Sequence, residues 1–255
     1  MVQEFAPIHS IKKLTPEIYQ LTFHSLVISK KVTPGQFVNI KVDKYYPLLR
    51  RPFSVFFVEG EYVSVLFNVI GLGTSLLAKK NIGEMLDVLG PCGNGFTPFV
   101  EGNYETAIII AGGLGVAPFP FLTSFISSRK KIISFVGAKN KNYIVQFGLK
   151  NVYIATEDGS VGTKGNVLDI FSEYLKKNDI SNSKIFMCGP TRMLTAVTAF
   201  VQKKNILCYA SLECDMACGI GLCQGCPVEM SEGEKKYRLV CKEGPVFEVN
   251  NIILR

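Results

Sequence analysis

The stretch Tyr104-Glu105-Thr106-Ala107-Ile108-Ile109-Ile110-Ala111-Gly112-Gly113-Leu114-Gly115-Val116-Ala117-Pro118 decides the fold class. A short apolar β-branched run leads straight into a cluster of glycines, and a proline follows where a helix would begin. Thr106 to Ser128 carries no charge and passes a length filter for a membrane span. Gly112, Gly113, Gly115, Pro118 and Pro120 break it up, so it reads as strand, glycine loop and helix. Glycines at such a turn let a pyrophosphate approach backbone N–H groups and the positive end of a helix. The third glycine of the dinucleotide fingerprint is absent, and Pro118 stands in its place. A tight turn without a ligand is the competing reading.

Downstream the same rhythm repeats. Ile132–Val136, Val152–Ala155 and Lys184–Cys188 are apolar runs of the buried parallel kind. They alternate with segments of helical period at 118–128, 166–177 and 191–203, predicting a parallel α/β, Rossmann-like nucleotide domain over 101–205. Upstream, Ile18–Phe23, Gln36–Val42, Ser54–Val58 and Tyr62–Phe67 are short strands separated by turns such as Pro34-Gly35. That spacing predicts an antiparallel β-barrel or sandwich over 1–100. From about Ile206 to 255 the chain becomes a small cysteine-rich module.

Composition fits this multidomain organisation. The chain has 255 residues, 47% hydrophobic and 19% charged, so disorder of the bulk is excluded. A net charge of +7 comes from 28 basic and 21 acidic side chains scattered without a basic run, which argues against nucleic acid binding. Met1-Val2-Gln3-Glu4-Phe5 has neither the basic nor the apolar part of a secretory signal, so a cytoplasmic protein with no membrane association is expected. In that compartment eight cysteines are ligands or free thiols rather than disulfides.

Five of them, Cys214, Cys218, Cys223, Cys226 and Cys241, crowd into the last quarter. Cys218-x4-Cys223-x2-Cys226 followed by Cys241 has the spacing of a plant-type 2Fe-2S ligand set, with Gly219, Gly221 and Gly225 letting the backbone turn around the sulfurs. A structural zinc site accepts four cysteines too, although zinc knuckles usually carry two C-x2-C pairs. Cys92, Cys208 and Cys214 read as free thiols acting as small hydrophobes.

Arg51-Pro52-Phe53-Ser54 could clamp a pyrophosphate through the arginine and offer a serine hydroxyl to a flavin ring. Gly71-Leu72-Gly73-Thr74 reads as a second phosphate-sized turn, with Thr74 opening a helix over Ser75–Ala78. His9 and His24 read as ordinary strand residues.

These motifs stand in one order with Gly90-Pro91-x-Gly93-Asn94-Gly95-Phe96, Thr156-Glu157-Asp158-Gly159-Ser160 and Cys188-Gly189-Pro190. Over essentially the whole chain this order resembles the electron-transfer subunits of heteromeric, NAD-linked dihydroorotate dehydrogenases, within the ferredoxin reductase superfamily. The resemblance implies a flavin-binding barrel, a nicotinamide-binding α/β domain and a terminal 2Fe-2S domain. It implies FAD held by Arg51, Pro52, Phe53, Ser54, Leu66, Phe67, Asn68, Gly73 and Thr74, with Asn68 replacing a basic residue of the family. It places the nicotinamide cofactor at Gly113, Gly115, Ala117 and Pro118, and Gly189 and Pro190 beside its ring together with Cys188, the residue expected to act in catalysis. The cluster ligands it implies are Cys218, Cys223, Cys226 and Cys241. Glu157 and Asp158, where relatives using NADP hold the 2′-phosphate, would repel that phosphate and accept from a ribose hydroxyl, favouring NAD, with Lys164 nearby.

The partner implied is an FMN-containing catalytic subunit, two copies of each chain forming a heterotetramer. It would oxidise dihydroorotate in pyrimidine biosynthesis and pass electrons singly to the cluster, then to FAD and NAD+. A flavin suits this because it exchanges one electron or two. Alternatives are a reductase subunit serving another NAD(P)H-, ferredoxin- or sulfide-linked oxidoreductase, or a noncatalytic zinc-stapled binding module.

Overall fold

The computed structural model describes residues 1–204 and 206–254. Among them, six strands close an antiparallel barrel in the order β1-β2-β5-β4-β3-β6. These are β1 (Val2–Lys13), β2 (Ile18–His24), β3 (Phe37–Lys41), β4 (Arg51–Glu59), β5 (Tyr62–Asn68) and β6 (Met85–Cys92). Closure follows from alternation: along β6, Leu86, Val88, Gly90 and Cys92 turn inward while their neighbours face out. The barrel core of Leu21, Phe23, Val38, Ile40, Val55, Val63, Val65, Leu86 and Val88 is fully buried. Two short helices lie on it, α1 (Leu26–Lys31) and α2 (Leu72–Ala78), and a third, α3 (Thr97–Val100), follows β6.

Helix α2 corrects one expectation. Gly71 is extended and caps a helix that already begins at Leu72, so Gly73 and Thr74 lie inside it. The Thr74 hydroxyl accepts from the backbone N–H groups of Ile70 and Gly71, the work of an N3 side chain in a capping box. Gly73 serves close approach: a Cβ there would sit 3.0 Å from the Arg51 Nε.

The second sheet runs β10-β9-β8-β7-β11-β12-β15 among the described residues. Its parallel strands are β7 (Thr106–Gly112), β8 (Lys131–Ala138), β9 (Val152–Thr156), β10 (Thr163–Lys164), β11 (Ser183–Cys188) and β12 (Leu207–Ser211). Residues 107–112 are buried on both faces, which explains an apolar run without alternation. Helices α4 (Phe119–Phe125), α5 (Val167–Lys177) and α6 (Thr191–Gln202) pack on the sheet. Asn166 and Asp169 form a reciprocal capping box that starts α5 where expected. A 3-10 turn at Gly113–Val116 comes between β7 and α4, and α4 ends at Phe125, so the helix there is shorter than the predicted 118–128.

Four more strands complete the terminal part. β13 (Pro227–Met230), β14 (Tyr237–Leu239) and β16 (Ile252–Ile253) make a three-stranded sheet, whereas β15 (Val246–Glu248) returns to pair antiparallel with β12. The expected boundary at 205/206 falls just before β12. Its residue Asn205 lies outside the described residues, but β12 and β15, both beyond it, belong to the nucleotide sheet. The cause is the continuous apolar edge: Ala210 and Ser211 of β12 sit beside Met187 and Cys188 on one side and Phe247 and Val246 on the other.

Two lysines fix the passage from barrel to sheet. Buried Lys184 donates from Nζ to the Phe99 and Glu101 carbonyls, and Lys130 donates to those of Gly102 and Tyr104 while lying 3.6 Å from the Tyr104 ring centroid. No helix among the described residues is long and apolar enough to cross a membrane.

Candidate functional site

A cleft of about 590 Å³ opens where the three parts meet. The barrel contributes Pro52, Phe53 and Ser54 from the start of β4, Leu66, Phe67 and Asn68 from the end of β5, and Thr74 from α2. Facing them are Leu114 and Ala117 after β7, Gly189, Pro190 and Thr191 after β11, and Ser211 to Met216 after β12. The carboxyl ends of parallel strands thus close one wall, the usual place for a ligand of such a sheet.

Close backbone approach holds that wall together. A Cβ on Gly115 would overlap the Cys188 carbonyl and stand 2.7 Å from the Gly189 Cα. One on Gly112 would meet Met193 Sδ and Pro190 Cδ, each at 2.8 Å. Gly113, at φ +54°, has open space instead. Gly113, Gly115, Pro118 and Cys188 are next to lining residues in sequence and are not among the lining themselves. Arg51 likewise lies at the edge, packed over Gly73 with Nη1 donating to the Leu49 carbonyl at 2.6 Å.

Cys188 is 1% exposed, and desolvation followed by the charge of Glu213 pushes its thiol far up, so it is a neutral S–H. Its Sγ lies 4.0 Å from the Glu213 carboxylate, itself raised by desolvation. Glu213, Leu212 and Met216 are lining residues that motif reading passed over. The available signal was position, directly after a parallel strand. Glu157 and Asp158 lie off the cleft, after β9, on the same carboxyl edge two strands from β7. The Asp158 carboxyl is held low by the Ser160 side chain and N–H.

Beyond the cleft the cysteine loop turns through left-handed residues Gly219, Gly221 and Gln224. Its thiols fall into two pairs. The Cys226 and Cys241 sulfurs lie 3.2 Å apart and buried, while Cys218 Sγ accepts the Cys223 N–H at 3.4 Å and the Ile220 N–H at 3.5 Å. Desolvation opposes ionisation of Cys218, yet those N–H groups together draw its thiol down to about 6. Cys223 Sγ accepts from the Gly225 N–H at 3.4 Å. Among the described residues no three His, Cys, Asp or Glu side chains converge on a single ion. Two thiol pairs, ringed by N–H donors, suit two bridged irons better than one zinc. Cys214 lines the cleft and its thiol also meets that of Cys226 in the buried pair.

The motif Gly93-Asn94-Gly95-Phe96 has a joining role. Asn94 Nδ2 donates to the Lys242 and Glu243 carbonyls, Gly93 abuts Pro245, and Phe96 packs between Phe119 and Phe186. It pins barrel, nucleotide sheet and cysteine module to one another.

A family model for the iron-sulfur cluster binding domain of dihydroorotate dehydrogenase B matches residues 213–253. The electron transfer subunit of dihydroorotate dehydrogenase B (NAD(+)) of Bacillus pumilus is 36% identical over 100% of this chain and 99% of its own. That of Caldanaerobacter subterraneus subsp. tengcongensis is 37% identical over 97% of each. The chain belongs to this family of dihydroorotate dehydrogenase B electron transfer subunits. Among solved structures, an NADH-dependent reduced ferredoxin-NADP oxidoreductase superposes with a TM-score of 0.84 at 25% identity, covering 98% of this chain and 90% of the other. The ferredoxin reductase of carbazole 1,9a-dioxygenase, at 17% identity and TM-score 0.69 over 80% of this chain and 66% of its own, shares the fold. Membership in the dihydroorotate dehydrogenase B family makes the four-cysteine module an iron-sulfur domain, so the zinc-stapled reading is set aside.

Proposed function

We propose that this chain receives electrons from an FMN-containing, dihydroorotate-oxidising subunit and delivers them to NAD+, in a cytoplasmic complex of two copies of each chain. The observation that carries this reading is the single cleft shared by barrel, nucleotide sheet and cysteine module. When bound, a 2Fe-2S cluster, FAD and NAD supply one-electron, one-or-two-electron and hydride exchange respectively.

The chain's own residues hold and orient. Pro52, Phe53, Ser54, Leu66, Phe67 and Asn68 form the flavin wall, with Ser54 as a hydroxyl partner and Arg51 beside Gly73 as the pyrophosphate clamp. Gly113, Gly115, Ala117 and Pro118 bring backbone to the nicotinamide cofactor's pyrophosphate, and Gly189 and Pro190 border its ring. Cys188, a buried neutral thiol next to Glu213, is the residue assigned to catalysis beside that ring. Glu157 and Asp158 are the ribose-hydroxyl acceptors that favour NAD. Cys218, Cys223, Cys226 and Cys241 hold the cluster, and the N–H groups around Cys218 and Cys223 stabilise negative charge there. Four cysteines assigned to the cluster and four more outside any disulfide suit a reducing compartment.

The test is dihydroorotate-dependent NADH formation by the complex purified anaerobically through a tag on this chain. Formation of NADH is expected. A yellow-brown complex that oxidises NADH but is inert to dihydroorotate would refute the partner assignment.

A further inference from the structure

Asn39 lies at the centre of β3, in the barrel, and is 2% exposed. Its Nδ2 is buried and, among the described residues, makes no hydrogen bond of normal geometry. Such an orphan donor costs roughly 1–3 kcal/mol unless something satisfies it. On the barrel side the amide neighbours only a weak acceptor, the Cys92 thiol. On the other side it presses against Gly219: a Cβ there would overlap Nδ2, while Asn39 Cγ and Oδ1 would stand 2.9 and 3.2 Å away. Gly219, at φ +66°, follows Cys218 directly and belongs to the turn whose N–H groups already face sulfur. The glycine is required twice, by backbone conformation and by the amide that fills its side-chain space.

We propose that Asn39 is a positioning residue for the iron-sulfur centre, its buried Nδ2–H donating to the sulfur side of the Cys218 turn and tying the cluster loop to the flavin barrel. This rests on the assignment of Cys218, Cys223, Cys226 and Cys241 to a 2Fe-2S cluster. A donor aimed at sulfur favours the more negative, reduced state, so it raises the reduction potential. The other N–H groups at Cys218 are backbone and cannot be deleted by a side-chain change; Asn39 is the one that can. It comes from a strand more than 170 positions away in sequence, which is why no motif contains it.

The experiment uses the whole complex carrying Asn39→Leu, of similar volume and without a donor, beside Asn39→His, which keeps an N–H. The readouts are the spectrum of the reduced cluster by electron paramagnetic resonance, its midpoint potential, and the FAD content and potential as internal controls. Asn39→Leu is expected to lower the equilibrium constant for cluster reduction about tenfold, 59 mV for a one-electron centre, with FAD unchanged and with Asn39→His near the parent. Loss of the cluster from the Leu variant but not from the His variant would equally support the donor role. A Leu variant with parental spectrum and potential would overturn it, as would Leu and His variants that lose or shift the cluster alike, which marks a packing effect. A parent complex without the reduced-cluster signal would refute the ligand assignment itself, and Asn39 with it.

Discussion

Gly115→Ala and Gly113→Ala look alike in sequence and should behave very differently. At Gly115 the added methyl would stand 2.6 Å from the Cys188 carbonyl carbon and 2.7 Å from the Gly189 Cα, against the 3.4 Å at which ordinary contact begins. Both obstacles are backbone, so the 3-10 turn and the end of β11 must part by about 0.7–0.8 Å, taking 3.4 less 2.6 or 2.7. Overpacking of this kind costs about 1–3 kcal/mol, and displacing binding groups by about 1 Å can cost about 100-fold in rate. At Gly113 the methyl meets nothing within 4 Å and only the φ of +54° is strained, for about 1–2 kcal/mol and with no displacement of neighbours. The assay is NADH oxidation by an artificial acceptor, catalysed by the complex, with FAD content measured alongside. Gly115→Ala should lower kcat/KM for NADH about 100-fold with FAD retained, and Gly113→Ala should lower it less than about tenfold. Equal losses in the two variants, or a Gly115→Ala variant within threefold of the parent, would refute the idea that this contact holds the nicotinamide wall.

Three further outcomes are expected. Cys223→Ser should abolish electron exchange with dihydroorotate while FAD stays bound and NADH oxidation by an artificial acceptor continues; loss of both activities in a folded, FAD-loaded variant would count against the division of labour. Arg51→Met should weaken FAD binding about 10- to 150-fold, the loss of one charged hydrogen bond of about 1.5–3 kcal/mol, read by fluorescence as flavin is released on dilution. Glu213→Gln should raise Tm at pH 7. Burial raises the folded-state pKa of this carboxyl, so its ionised form costs stability as pH rises above the ordinary carboxyl value of 4.5, and the gain from Gln should vanish near pH 4.

Local chemistry made most of the fold legible. The β7 run and its glycines announced a parallel sheet because burial on both faces removes alternation, and Asn166 with Asp169 announced α5 because capping is a local event. Gly71-Leu72-Gly73-Thr74 misled because a glycine that admits Arg51 looks, in sequence, like one that makes a turn. The return of β15 to the nucleotide sheet was illegible for another reason. Three residues carry too little pattern to announce a strand, and their partner is nearly forty positions away. The cleft followed the same division. Motifs named the barrel wall and the glycines, whereas Glu213 and Met216 enter only because β12 ends beside β11, a long-range fact.

That returning strand bears on how the chain works. An electron-transfer subunit needs its bound groups at fixed separations, and a terminal module on a free tether would not provide that. Here the module leaves the sheet after β12, turns through the cysteine loop and comes back as β15 against the strand it left. Asn94 pins it again, taking hold of the Lys242 and Glu243 carbonyls directly after Cys241 and giving its own N–H to the Gly244 carbonyl. Lys184 and Lys130 clamp the barrel's exit segment in the same manner. At these joints backbone carbonyls of one segment are held by side-chain donors of another, beside the strand pairing of β12 with β15 and the packing of Phe96. Strand pairing and these hydrogen bonds therefore tie the sheet, the barrel and the cysteine module to one another, and the cleft lies where the three meet.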